Sequence, residues 1–267
     1  KVQSKGVVFA GGVLGTVKLL LKLKNKSLTR LSDKVGKEVR TNNESLIFSV
    51  SPDRKKDFSK GVAIGSIYHS DDFTHLEPVR YARGSGFWRT GLLPFVQGRN
   101  VFIRFGGIFK EFIRNPLTYL KLYTVRDFAK QSVVLLFMQH IDSTLSLKKG
   151  WTRMKSEVTE GSNPTAHIPD AKKLADAYNR ISGGKSFVYI TESIFNIPST
   201  AHILGGAVMG ANEKEGVIDK DNKVFGYNNM YICDGSMISA NPGVNPSLTI
   251  TAISERAMSK IPAKNNS

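Results

Sequence analysis

Four polar residues stand where sequence context could put them to chemical use. His202 precedes Ile203-Leu204-Gly205-Gly206, where a glycine pair lets the chain turn hard and lets another group come close. Imidazole is suited to moving protons near neutral pH, although a lone histidine serves equally well as a structural residue. Asn245 stands before Pro246, a strong helix-start pair that either caps its own helix or aims an amide at a ligand. Asp234-Gly235 closes a short apolar run that ends in Cys233. Glu77 lies between Leu76 and Pro78, with Arg80 nearby, and reads by default as a surface carboxylate paired with Arg80.

The elements that must position these groups follow from periodicity. Residues 7–10 read as a strand, Gly11-Gly12 as a sharp turn, and 13–23 as a helix with Leu14, Leu19, Leu20, Leu21 and Leu23 available for packing. The sequence GGVLG, with Gly15 as its last glycine, is not the G-x-G-x-x-G dinucleotide fingerprint, so the turn serves cofactor contact or tight packing. Residues 27–46 read as irregular, and 62–69 as a strand ended by Asp71-Asp72. After a break at 94–100, Phe102, Phe105, Phe109 and Phe112 recur on one helical face, interleaved with Arg104, Lys110 and Arg114. That face either meets the core or forms an apolar lid or lipid contact.

Residues 133–140, 141–147 and 151–158 read as an antiparallel run with a turn at Lys148-Lys149-Gly150, and Asn163-Pro164 as a loop. Asp170 reads as the N-cap of a helix over 171–181 with Leu174, Tyr178 and Ile181 on one side, stopping at Gly183-Gly184. A strand over 186–191 follows. The last helix begins at Asn245-Pro246, runs to about Lys260 and buries Ile250, Ile253 and Ala257. Its first N–H groups can receive negative charge.

Composition narrows the class. The 267 residues, 40% of them apolar, suffice for one large or two modest folded domains. A single cysteine rules out an internal disulfide or a cysteine-based zinc cluster, and fits a cytoplasmic or a secreted protein alike. Thirty-eight basic against 22 acidic residues, a net +16, draw phosphates, anionic lipid or nucleic acid, or simply solvate the surface. No zinc-finger or tight basic–aromatic motif points to nucleic acid, so none is expected as a partner. No apolar run reaches the roughly 18 residues of a membrane span. Lys1–Lys5 has neither an initiating methionine nor a signal-peptide pattern, and a strand follows at once, so a piece of a longer protein is expected.

HILGGAVMG, YNNMYICDGSMI and NPGVNPSLTITAISERAMSKI resemble the C-terminal signature of the glucose–methanol–choline (GMC) family of flavin oxidoreductases, most of all its bacterial cholesterol oxidase branch. KGVVFAGGVLGTVKLLL and LSDKVGKEVRTNNES resemble the family's middle segment, as do Trp151-Thr152-Arg153 and the helix from Ala171. The resemblance implies an α/β plus α+β fold. A partial, glutathione-reductase-like FAD-binding domain (1–58 and 198–267) would enclose a substrate domain (59–197) built on an antiparallel or mixed sheet. The ADP-binding unit would lie upstream, leaving this piece inactive alone.

Carried over by position, the resemblance makes His202 the histidine that orients a sterol 3-hydroxyl and assists its proton loss. It makes Asn245 the asparagine that faces flavin and substrate. Gly243, Val244 and Pro246 would lie at the pyrimidine end of the flavin, Asp234 and Gly235 near its ribityl–pyrophosphate part, and Gly11, Gly12 and Gly15 at the turn that passes close to it. Glu77, flanked by apolar residues, would move a proton from C4 to C6. Ile203 and Ala207 depart from the family's proline and cysteine. The implied partners are FAD, a sterol or other hydrophobic alcohol, oxygen or another electron acceptor, and an anionic membrane touched peripherally. Another alcohol, or an inactive lipid-binding relative, is the alternative.

Overall fold

In a computed structural model, residues 3–141, 143–151, 153–161, 168–195 and 197–262 are described. The strands are β1 (Val7–Phe9), β2 (Ser45–Val50), β3 (Tyr68–His69), β4 (Thr74–Val79), β5 (Leu92–Pro94), β6 (Ser132–Gln139), β7 (Thr144–Lys148), β8 (Lys155–Glu160), β9 (Lys185–Tyr189) and β10 (Met230–Ile232). The helices are α1 (Gly12–Lys24), α2 (Val101–Arg114), α3 (Pro116–Tyr123), α4 (Phe128–Gln131), α5 (Pro169–Ser182), α6 (Ile190–Phe195) and α7 (Ser247–Ser259), with 3₁₀ turns at Ser85–Gly91 and Gly235–Met237. The fold is a mixed α/β one with parallel and antiparallel sheets. The chain forms two units, Lys1–Asn42 with His140–Asn163 and His202–Ser267, and Asn43–Gln139 with Pro164–Ala201. These compact units divide at 42/43, 139/140, 163/164 and 201/202.

The second unit is built on a six-stranded antiparallel sheet in the order β3-β4-β6-β2-β9-β5. Strand alternation splits its side chains between two faces. Ile47, Val133, Leu135, Phe137 and Val188 join Ala171 and Ala175 of α5 on one face. Phe48, Val50, Val134 and Phe187 join Tyr119 and Leu122 of α3 and Phe128 of α4 on the other. Coverage on both sides is why Ser132–Met138 is buried throughout and reads as a continuous apolar run. Pro78 is tolerated in β4 because β3 pairs only with Leu76 and His75, and on that side only an isolated bridge between Ile64 and Val79 follows. Of the strand expected over 62–69, only Tyr68–His69 forms.

Helix α2 reverses the core-facing alternative. Phe102, Phe105, Phe109 and Ile113 are each at least 61% exposed, while Arg104 and Ile108 point inward. Arg104 is drawn in because its guanidinium donates to the carbonyls of Ile194, in the last turn of α6, and Gly98. Phe112 alone of the four phenylalanines turns back, its ring 5.1 Å from that of Tyr119. In α5, Leu174 and Tyr178 pack as expected, but Ile181 is 84% exposed. Asp170 sits in the first turn, and the cap position is Ile168. Gly183, in the left-handed region at φ +68°, ends the helix. The strand expected over 186–191 stops at Tyr189, where α6 begins.

The first unit pairs β1 and β10 in parallel, with α1 and α7 packed near them. Val17, Leu20, Ile232, Met237 and Ala257 are at its core. β7 and β8 form a separate hairpin, so β6 is not part of one run with them. The β8 strand begins at Lys155 rather than Trp151, while Thr152 and the Asn163-Pro164 loop lie outside the described residues. Among the described residues no helix is long and apolar enough to cross a membrane.

Candidate active site

The first unit gathers most of the residues singled out in the sequence around one 3₁₀ turn. Asp234 accepts from Thr16 Oγ1 at 2.5 Å, and from the Ser236 amide at 2.8 Å and its hydroxyl at 2.5 Å. Thr16 Oγ1 also accepts from the Gly11 amide at 3.1 Å. The buried carboxylate thus ties the β10 end to the Gly11-Gly12 turn, and removing it would strand those donors at a cost of about 3 kcal/mol. On the outer side of the turn the backbone is bare. A side-chain carbon at Gly12 or Gly15 would meet nothing within 4 Å, and α1 starts without a side-chain cap.

His202 enters the same turn from another direction. Leu204 and Arg40 exchange backbone hydrogen bonds at 2.9 and 2.8 Å, while the Gly205 and Ala207 amides donate to the Gly235 and Ser236 carbonyls. The glycine pair is obligatory. Gly205 has φ +79°, and a side chain there would place its first carbon 2.1 Å from the Glu38 carbonyl oxygen. His202 itself is half-buried.

The 241–246 loop arrives from a third side. Asn241 accepts from the Gly243 amide at 2.9 Å and donates to the Thr41 carbonyl at 3.3 Å, and Asn42 donates to the Val244 carbonyl at 3.2 Å. At Gly243, φ is +67° and the His140 ring lies 3.1 Å from where a side-chain carbon would sit. Helix α7 starts at Ser247 with Pro246 at the cap position and no side-chain cap bond, so Asn245 is not the N-cap expected from the sequence. The Ile203 carbonyl and Ile250 Cδ1 come within 3.3 and 3.5 Å of the carbon a side chain at Gly235 would add. The histidine segment and the first turn of α7 therefore converge on Gly235. Burial and the Asp234 carboxylate push the Cys233 thiol pKa up, which disfavours its thiolate.

Glu77 belongs to the second unit. It is 5% exposed on β4, opposite Leu136, and is not the surface partner of Arg80, whose guanidinium donates instead to the Val62 carbonyl. His75 Nε2 lies 3.6 Å from Glu77 Oε1. Burial lowers the pKa of His75, the nearby Glu77 opposes that, and His69 adds to it.

Two buried carboxylates escaped the sequence reading. Glu44 accepts from Thr200 Oγ1 at 2.7 Å and from the Ala201 amide at 2.8 Å, and Glu192 accepts from the Ser199 amide and Ser45 Oγ, both at 3.3 Å. Together they hold 199–201, the three residues directly before His202. The only signal was the TNNES loop, since the strand read over 186–191 ends just before Glu192. Burial, only partly offset by the hydrogen bonds from Ser199, raises the Glu192 pKa to about 7. The folded protein therefore holds this proton more tightly than the unfolded chain does. The resulting stability is present below the unfolded pKa and is lost as pH rises to about 7, by about 3 kcal/mol in total. Glu192→Gln should flatten that part of the profile. Urea midpoints at pH 5 and pH 8 check it, and equal pH slopes in both proteins would refute it.

Residues 136–254 match the family model described as GMC oxidoreductase, and the chain belongs to that family. It is 39% identical over 265 residues to a cholesterol oxidase of Acinetobacter baumannii, covering 97% of this chain and 48% of that protein. A cholesterol oxidase of Mycobacterium tuberculosis (strain CDC 1551 / Oshkosh) is 37% identical over 281 residues, covering 97% and 46%. The chain thus spans about half the length of these relatives. "Long-chain-alcohol oxidase FAO3" of Arabidopsis thaliana is 38% identical over 79 residues, 30% of this chain and 10% of that one. Among solved structures, pyridoxine 4-oxidase from Mesorbium loti shares the fold, with a TM-score of 0.53 at 13% identity, over 97% of this chain and 52% of that one.

Proposed function

We propose that the chain is the C-terminal half of an FAD-dependent enzyme that oxidises the 3-hydroxyl of a sterol. The observation that carries this reading is the convergence on Gly235 of the His202 segment and the start of α7, beside a bare glycine turn fixed by Asp234. The sterol rests on the likeness to two cholesterol oxidases along nearly the whole chain.

The first unit is the flavin part in this reading, and the second the substrate part. The residues present fit the cofactor: the glycines leave backbone open to close approach, and the α1 start has N–H groups without a side-chain cap. Gly11, Gly12, Gly15, Gly243, Val244 and Pro246 would hold FAD through the backbone, with Asp234 and Gly235 shaping the turn behind them. Val7, Val8, Leu14 and Leu248 are each at least 44% exposed, and β1 has no strand on its outer edge among the described residues. That edge is where an upstream ADP-binding unit would complete the sheet. Bound FAD supplies the two-electron oxidation of the alcohol carbon, with oxygen or another acceptor completing turnover.

The protein's own groups handle position and protons. His202 would orient the hydroxyl and take its proton, with Asn245 donating to the oxygen as negative charge builds on it. Glu77, in its apolar strand, would then carry a proton from C4 to C6, turning the 5-en-3-one into the 4-en-3-one. The exposed phenylalanine stripe of α2, flanked by Lys110 and Arg114, suits peripheral contact with an anionic membrane.

The test is to express the full-length gene product and record its visible spectrum without oxygen, before and after cholesterol, then sediment it with anionic vesicles at low salt. Flavin bands that bleach with cholesterol support the reading. Bands that persist discard the sterol and make a long-chain alcohol the next substrate to try, given the local likeness to the long-chain-alcohol oxidase. Absent flavin bands would sink the enzyme reading and favour an inactive lipid-binding relative. Vesicles that bring down no protein remove the membrane contact.

A further inference from the structure

A cavity of about 560 Å³ opens in the second unit, and most of the polar side chains in its wall are cationic. Arg54, Arg83, Arg89, Arg126 and Lys130 line it, against the single carboxylate of Asp127. That carboxylate is already engaged, because it accepts from the Lys130 amide and caps α4. Arg89 is held in place by a 2.7 Å bond to the Val125 carbonyl, and its Cζ lies 4.0 Å from where a side-chain carbon at Gly86 would sit. The guanidinium groups of Arg54, Arg83 and Arg126 make no ion pair or hydrogen bond among the described residues. Arg54 and Arg126 also line an adjoining hollow of about 500 Å³ with Lys121.

Five cations facing one hollow repel one another, and a concave wall concentrates their field on whatever enters. The arrangement is stable with solvent and counter-ions, but it suits a compact anion far better. Guanidinium forks pair bidentately with phosphate oxygens, and three unpaired forks beside a fixed fourth match the charge and acceptor count of a phosphate dianion more closely than a carboxylate. The volume lies within the range of small-ligand sites and leaves room for the organic part of an ester. We propose that this arginine pocket binds a phosphate ester, from a soluble metabolite or from a phospholipid headgroup. The proposal does not depend on the flavin reading, since no pocket residue is a candidate for catalysis or cofactor contact.

The experiment uses the full-length gene product and two charge-matched variants. Arg83→Ala/Arg126→Ala removes two exposed guanidinium groups from the pocket, and Lys149→Ala/Lys155→Ala removes two exposed cations from the first unit. Each protein is titrated with inorganic pyrophosphate by calorimetry, and is sedimented with phosphatidylcholine vesicles with and without phosphatidic acid. The arginine variant should lose at least about tenfold in affinity while the lysine variant keeps wild-type affinity. Arginine-dependent binding of pyrophosphate assigns the site to soluble phosphate compounds, and arginine-dependent binding of vesicles alone assigns it to the headgroup. Absent binding in both arms, or equal losses in the two variants, would overturn the proposal and leave only a basic surface. Unchanged thermal melting of both variants separates these outcomes from misfolding.

Discussion

Replacing His202 by glutamine in the full-length enzyme should lower kcat for sterol oxidation by about a hundred- to ten-thousand-fold, with flavin content unchanged. Glutamine keeps a side chain of similar reach and can still hydrogen-bond a hydroxyl, but it cannot accept the proton. The substitution should also spare the fold. The segment is registered by backbone bonds at Leu204, Gly205 and Ala207 and by the two glycines, none of which uses the imidazole. Flavin content, from the visible spectrum, separates the alternatives. Lost activity with full flavin assigns His202 to proton transfer, whereas parallel loss of flavin and activity would make it a structural residue.

Glu77→Gln should leave sterol oxidation within a few-fold of wild type, while isomerisation slows by at least about a hundredfold and the 5-en-3-one accumulates. Glu77 is buried in β4, opposite Leu136, with the His75 imidazole 3.6 Å from its carboxylate. A near-isosteric amide keeps the packing of that strand, so a purely structural role would show as lower stability rather than as a change of product. Chromatography of products at early times reads the difference directly. Equal loss of both steps would remove Glu77 from the mechanism as a base. His75→Gln is the companion variant, because its imidazole lies 3.6 Å from the Glu77 carboxylate and has no hydrogen-bond partner for its buried Nε2. If the base role moves to His75, that variant and not Glu77→Gln will trap the intermediate.

The local elements were the legible part of the sequence. The β1–turn–α1 unit, the α5 helix with its glycine stop and the α7 helix all follow from apolar spacing and from the cost of continuing a helix through glycine. The family was legible too, because the glycines at 205, 206 and 243 are held by backbone geometry that few other residues tolerate. The roles of some residues were legible only as alternatives. Asn245 looked like a helix cap until α7 was seen to start at Ser247. The family resemblance puts Asp234 near the cofactor, and the structure adds that its oxygens accept hydrogen bonds from Thr16 and Ser236.

What the sequence determined by itself was which residues share a face, which turns demand glycine, and which motif brings His202, Asp234 and Asn245 into one family signature. Only the tertiary structure decided which side each face turns to. The phenylalanine stripe of α2 looks outward because Arg104 has carbonyls to bind within, and Ile181 is left exposed on an otherwise packed helix. It also separated β6 from the β7–β8 hairpin, buried Glu44 and Glu192 against the chain before His202, and collected four arginines from 54 to 126 around one hollow. Periodicity reports on neighbours three or four residues away, whereas burial, charge crowding and pKa depend on partners tens of residues distant that meet only when the sheet forms.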